Sequence, residues 1–505
     1  MVLLTYAPSR VGKSSTQTLA KHPGVSPKLK PADRVPRKVR RRYRRLWRFK
    51  SFCLGISLPA SILGTYLFAT EILIQDGEVP QSLYEWEIAA SEPTPEPQAT
   101  PDRWQDVENT VNQATSLTST ARTKAQWREV KSYWQQAIAT LDTLPPDHPQ
   151  FTQIPSLKAD YQQQLDTVQQ TLWADSTPMT LNHVIRGNLS PKSIVHSGNG
   201  LFFAQNMMYS HTVTVYDREY NLVGTISDRV DLEAFGHTEY SGLFQGSPVE
   251  AAFSHNGQYA WVSNYQMYGP GFNRPGDDVC HPDANFDPST LYRINTETLQ
   301  IENVIWVGSV PKYVATTPNN RLVLVSNWCS WDLSIIDTQQ NQEIKRIPLD
   351  AYPRGIEVDA QSQFAYVAIM GSDDIAKVNL NDYSVQWFNQ VGVTPRHLNL
   401  DPLESYLYVS FNLDNEVGKL DLKTGEIVSK VSTGSAPRSM VLSDDGQFLY
   451  VVNYNSDTLS KIRTQDMKVL QTVSTEAAPI GVTYDPETHQ VWVACYTGSL
   501  MIFQD

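Results

Sequence analysis

Cysteine is scarce: four in 505 residues, at positions 53, 280, 329 and 495. That excludes a disulfide scaffold, although an oxidising compartment would allow one bridge. Four signatures are missing altogether: Cys-x-x-Cys, His-Glu-x-x-His, a nucleophile elbow and a dinucleotide fingerprint. Their absence removes the common zinc, redox, serine-hydrolase and Rossmann readings. One loose phosphate-loop match, "APSRVGKS" (7–14), precedes a Pro- and Arg-rich stretch with no room for the domain such a loop needs, and is read as chance. Long apolar runs are also few. The 20 residues "SFCLGISLPASILGTYLFAT" (51–70) carry no charge and would span about 30 Å as a helix.

Charge is divided sharply along the chain. Residues 1–50 hold 15 Lys/Arg and one acid, Asp33, leaving 26 basic against 52 acidic residues beyond Lys50. Arg48 and Lys50 precede the apolar run, with Trp47 at the interface, whereas Glu71 and Asp76 follow it. The positive-inside rule places the basic tail in the cytoplasm and the rest outside. The leader is too long for an ordinary signal peptide and lacks an Ala-x-Ala site, so the segment reads as an uncleaved signal-anchor. The expected order is a basic cytoplasmic tail (1–50), a transmembrane helix (51–74), a Pro/acidic linker (75–102), an α-helical hairpin spacer (103–175) and a β-domain (177–505). The localisation implied is a bacterial membrane, single-pass, with that β-domain periplasmic or at the cell surface. The hairpin rests on two apolar stripes: Trp127, Val130, Trp134, Ile138, Leu141 and Leu157, Tyr161, Leu165, Val168, Leu172.

Beyond Thr177 the chain repeats. Pro311, Pro353, Pro395, Pro437 and Pro479 are 42 residues apart, and Pro191 and Pro248 precede them in units enlarged by insertions at 228–244 and 266–287. Each unit reads as four short strands, the period of a propeller blade. The last unit lacks its fourth strand, and a spare one, "MTLNHVIRG" (179–187), lies before the first. Together they predict an all-β, seven-bladed propeller closed by strand exchange, which removes exposed edges.

Here the sequence resembles a known group. "YAWVSNY", "LVLVSNW", "YLYVSFN" and "FLYVVNY" are similar to the YVTN repeat of seven-bladed, YncE-like bacterial propellers. The resemblance covers about two thirds of the chain and implies the fold, whereas members differ widely in activity. Ile369 and Cys495 stand where other units carry Asn327 and Asn453. "SWDLS" lies at the start of a third strand and is no WD40 signature.

The residue after each repeat proline is Lys192, Val249, Lys312, Arg354, Arg396, Arg438 and Ile480, basic in five units of seven. In a propeller these positions converge on one mouth of the central channel. Converging cations need an anion, or local acids such as Asp373, Asp374, Asp414 and Asp457, to offset them. The loops between second and third strands should open on the same face, which adds Asn264, Asn327, Trp328, Asn412, Asn453 and Tyr454 to the candidate ligand-binding set. His397, the only histidine directly after a Pro-Arg pair, is the candidate acid–base residue. Cys280 and Cys329 fall in loops of adjacent units, and a disulfide pinning the second insertion is expected. Neither calcium nor zinc spacing fits that insertion, so no metal and no cofactor are expected. The function predicted is a binding module for an anionic small molecule or an acidic envelope partner, with no nucleic-acid partner. A lactonase-type hydrolase using the same mouth and a purely structural envelope scaffold are the alternatives.

Overall fold

The computed structural model describes residues 103–122, 124–174 and 178–505. The basic tail, the apolar segment at 51–74 and the linker expected at 75–102 lie outside the described residues. Among the described residues, no helix is long and apolar enough to cross a membrane.

Three helices precede the β-domain: α1 (Arg103–Thr120), α2 (Lys124–Leu141) and α3 (Ile154–Ala174). The expected hairpin is α2 and α3, and α1 is an addition to it. The two predicted stripes meet in one core, where Val130 and Trp134 pack on Leu165, Val168 and Leu172, and Ala114 of α1 closes the third side. Val107 joins Leu141 and Leu144 in a second cluster, where the Pro145-Pro146 pair ends the α2 turn. This three-helix unit touches the β-domain through α2. Lys131 Nζ donates to the Asp445 carbonyl at 2.7 Å, and Arg128 lies 3.5 Å from the Asp445 carboxylate.

The β-domain is seven four-stranded antiparallel sheets arranged as a ring. Six are continuous, over 193–227, 248–307, 311–348, 353–388, 395–432 and 437–474. The seventh joins residues 479–504 to Thr180–Arg186, which runs antiparallel to Ser499–Gln504 from Thr180↔Gln504 to Arg186↔Ser499. Blades cover each other face to face, so middle strands are apolar on both sides. Phe364–Ile369 is buried at every position but its first, whereas the outer strand Ile427–Ser432 alternates. That contrast follows from covering two faces or one.

Each inner strand from the third blade onward starts at a proline, where the missing N–H costs no ladder bond. The residue before it turns left-handed: Val310, Tyr352, Thr394, Ala436 and Ala478 have φ of 56, 65, 54, 57 and 58°. Such φ values are strained for residues with a Cβ. Three of the strained N–H groups are held by a side chain 21 residues earlier, in the loop of the preceding blade. Asp373 accepts from Thr394 N (3.1 Å), Asn415 from Ala436 N (2.8 Å) and Asp457 from Ala478 N (2.7 Å). These contacts clamp one blade to the next and aim the residue after proline at the axis.

Both insertions lie on the face where the inner strands begin. The first forms a small ribbon, Arg229–Asp231 with Leu243–Gln245. The second is tied down by the expected disulfide, Cys280–Cys329, with Cα atoms 5.3 Å apart. Cys495 is buried in the seventh blade as a free thiol.

Candidate functional site

The inner strands deliver their second residues to one small funnel that opens to solvent. Its wall is made by Lys192, Arg354, Arg396 and Arg438, with Val249 and Ile480 at the two apolar positions, and with Glu250, Tyr313, His397 and Ser439 below. Four of the five predicted cations therefore meet. Gly355 allows this tightness, because a Cβ there would approach the Arg396 carbonyl to 2.7 Å.

Lys312 is the fifth, and it is diverted. Its ammonium lies 3.4 Å from Asp278 of the second insertion, over the rings of Tyr265 (4.3 Å) and Trp328 (5.2 Å). Burial, with Arg354 and Arg396 nearby, brings its pKa down to about 7, and Asp278 opposes that shift. Asp278 is itself held below the usual carboxylate range, chiefly by Lys312.

Three of the other four cations rest on the residues that follow the second strands. Arg438 Cζ is 3.6 Å from the Tyr454 ring, Lys192 Nζ is 5.5 Å from Tyr496, and Arg396 Nη1 is 3.7 Å from Met370 Sδ. Among the described residues, Lys192 and Arg354 form no ion pair, and both keep part of their surface open. Burial, followed by mutual repulsion, lowers Lys192 well below its ordinary pKa and Arg354 to about 10. A clustered, incompletely neutralised set of cations is an anion site in electrostatic terms.

Among the described residues, Glu250 is the single carboxylate in the funnel wall. Burial raises its pKa to about 7 against the opposing pull of the Ser193 hydroxyl, Arg354 and Lys192. Tyr313 is pushed well above its ordinary value by burial, with Glu250 adding to the shift. His397 is driven down to about 3 by burial, Arg354 and Arg396. It is therefore neutral and very weakly basic, which counts against the acid–base role predicted for it.

The predicted amides are not in the funnel. Asn264 accepts from Ser247 N (3.0 Å) and donates to Thr290 (3.2 Å), and Asn327 donates to Asp332 (2.6 Å) and Ser334 (2.8 Å). Asn453 donates to Thr458 (3.1 Å) and Ser460 (3.0 Å), and Asn412 to the Pro437 carbonyl (3.1 Å). All four are buried and hold loops or inner strands in place. Trp328 is also mostly buried, stacked on Tyr352 at 4.5 Å with its indole N–H on the Asp278 carbonyl. The acids expected to offset the cations accept backbone N–H groups: Asp374 from Gln390 (2.7 Å) and Asp414 from Val393 (3.2 Å), like Asp373 and Asp457 above. Tyr313, Tyr496 and Ser439 are wall or rim residues that sequence reasoning missed. Tyr496 was findable, because it occupies the same repeat position as Tyr454.

Residues 285–478, from the end of the second insertion through the sixth blade, match the family described as YNCE-like β-propeller. Among solved structures, the chain is similar to hydrazine synthase of Kuenenia stuttgartiensis, with a TM-score of 0.50 and 14% identity over 64% of this chain and 97% of that one. It is similar also to the WD40 β-propeller domain of Doa1, with a TM-score of 0.50 and 11% identity over 65% and 98% of the two chains. At such identities the likeness is one of fold. No curated protein is significantly similar in sequence.

Proposed function

We propose that the propeller is a binding module that takes an anionic group into its funnel. The observation that carries this is the meeting of Lys192, Arg354, Arg396 and Arg438, with Lys192 and Arg354 making no ion pair among the described residues. The funnel is narrow, so it suits one carboxylate or phosphate head and not a large ligand. Arginine's planar fork matches either anion. Thermal unfolding against acetate, sugar acids and phosphate tests it. An anion at about 100 times its Kd stabilises the fold by about 2.7 kcal/mol, and Arg354→Ala should remove that shift. A purely structural scaffold would show no shift with any anion.

In this reading the module is membrane-anchored and extracytoplasmic, held by residues 51–74 with the basic tail in the cytoplasm. The Cys280–Cys329 bridge supports an oxidising location. Protease digestion of spheroplasts, with the inner membrane intact, against lysed cells tests it: an extracytoplasmic propeller is cut or released in spheroplasts, and cutting only after lysis refutes the topology.

A hydrolase is the second reading, and Glu250 is the observation that favours it. A carboxylate with a pKa of about 7 beside arginines could deprotonate a water while the cations hold an acid substrate. Glu250→Gln would abolish lactone hydrolysis with anion binding retained, whereas no turnover of any lactone by the wild type removes this reading.

A further inference from the structure

The funnel opens beneath an apolar rim that a free small anion would leave bare. Tyr209 is 88% exposed, Leu243 69%, Val279 54% and Tyr268 42%. Three of them run outward from the mouth. Tyr209 lies in the loop after the second strand of the first blade, His211 two residues on meets Tyr268 edge to face at 5.2 Å, and Tyr268 pairs through its backbone with Gln245, two residues from Leu243. Val279 follows Asp278, which engages Lys312. Exposed apolar side chains grouped around a polar pocket mark a contact with another macromolecule.

Charge on the same rim narrows the class. The two insertions expose Asp231, Glu233, Glu239, Asp277, Asp278 and Asp283, against Arg229 and Arg274. A polyanion that placed one phosphate in the funnel would bring its other phosphates against these carboxylates. A polypeptide with a single carboxylate among apolar neighbours meets no such repulsion.

We infer that the group entering the funnel is a carboxylate carried by a polypeptide, whose apolar residues flanking it lie across Tyr209, Leu243, Tyr268 and Val279. This rests on the anion reading above and names the class of its ligand. Cation and apolar rim then act together: the funnel fixes the carboxylate, and the rim selects what is attached to it.

The test uses the full chain in detergent against displayed short random peptides, with enriched peptides then labelled for anisotropy beside acetate, phosphate and an oligothymidylate. Enriched peptides should share one carboxylate, from Asp, Glu or the C-terminus, next to apolar residues and with few further acids. Acetate should displace them. The exposed double variant Tyr209→Ser/Leu243→Ser should weaken peptide binding about tenfold or more while leaving acetate binding unchanged. Arg354→Gln and Arg354→Lys should weaken both, the second variant guarding against misfolding of the first. Peptide binding that ignores the double variant, or acetate binding with no peptide enriched, overturns the polypeptide assignment and leaves the anion site standing. Indifference of every probe to both well-folded Arg354 variants brings down the anion site itself. Oligothymidylate binding that depends on Arg354 and Tyr209 together also overturns the inference, and assigns the face to nucleic acid.

Discussion

Replacing Glu250 with Gln should flatten part of the protein's stability-against-pH profile. Burial lifts this carboxyl from an ordinary 4.5 to about 7, even with Arg354, Lys192 and the Ser193 hydroxyl pulling the other way. One pKa unit is 1.36 kcal/mol, so the rise amounts to about 3 kcal/mol. The sign follows from proton binding. The folded chain holds this proton more tightly than the unfolded chain does, so the contribution is full below about pH 4.5 and is lost as pH rises through about 7. Gln keeps the shape and carries no charge at any pH. Urea unfolding of wild type and variant, followed by tryptophan fluorescence from about pH 4.5 to about 8, gives two curves whose difference should change by about 3 kcal/mol across that window. Curves parallel to within about 0.5 kcal/mol would mean Glu250 is not desolvated as described. The same proton governs the funnel's charge. A neutral Glu250 leaves the cations unopposed, so wild-type anion affinity should fall as pH rises through about 7, and Gln should lessen that fall, the remainder coming from Lys312, which loses its charge over the same window.

Arg354→Ala should leave the fold as stable as wild type or slightly more so, since it relieves repulsion with Arg438; a loss above about 1 kcal/mol would show the arginine is structural. Cys280→Ser opens a 49-residue loop, which the chain-entropy relation values at about 4 kcal/mol, and should free Val279 and Asp278 to exchange amide protons; unchanged exchange would refute the pinning role. Asp457→Ala leaves the strained Ala478 N–H without its side-chain acceptor and should cost about 1–2 kcal/mol, with Asn415→Ala costing a similar amount at Ala436. A combined Asp457→Ala/Ala478→Gly variant should recover part of that loss, because glycine tolerates the left-handed turn.

The ring was legible because a 42-residue spacing of prolines is a global constraint that local propensity does not blur. The spare strand at 179–187 told how the ring closes, since seven units with one strand missing leave a single arrangement. The helix α1 was less visible. Its buried residues, Val107, Thr110 and Ala114, are small or polar and give no strong stripe. The asparagines misled for a physical reason: an amide at the end of a strand equally suits a ligand or a buried turn, and only packing tells which. Lys312 shows a similar limit. Its repeat position promised a funnel cation, but the blade-specific insertion supplied Asp278 and drew it aside. Glu250 stands next to Val249, in a unit where the repeat lacks its cation, and its spacing alone did not require it to be a base beside His397.

Strand exchange in the seventh blade also sets an order of events in time. Thr180–Arg186 is made first and its partner, Ser499–Gln504, last, roughly 320 residues later. At a synthesis rate of about 5–20 residues per second, that strand waits for tens of seconds with both edges unpaired. Until the seventh blade is complete the ring stays open, so every intermediate exposes the uncovered apolar faces of its two end blades. The strand Ser499–Gln504 completes the propeller, and its arrival separates a sticky arc from a sealed disc.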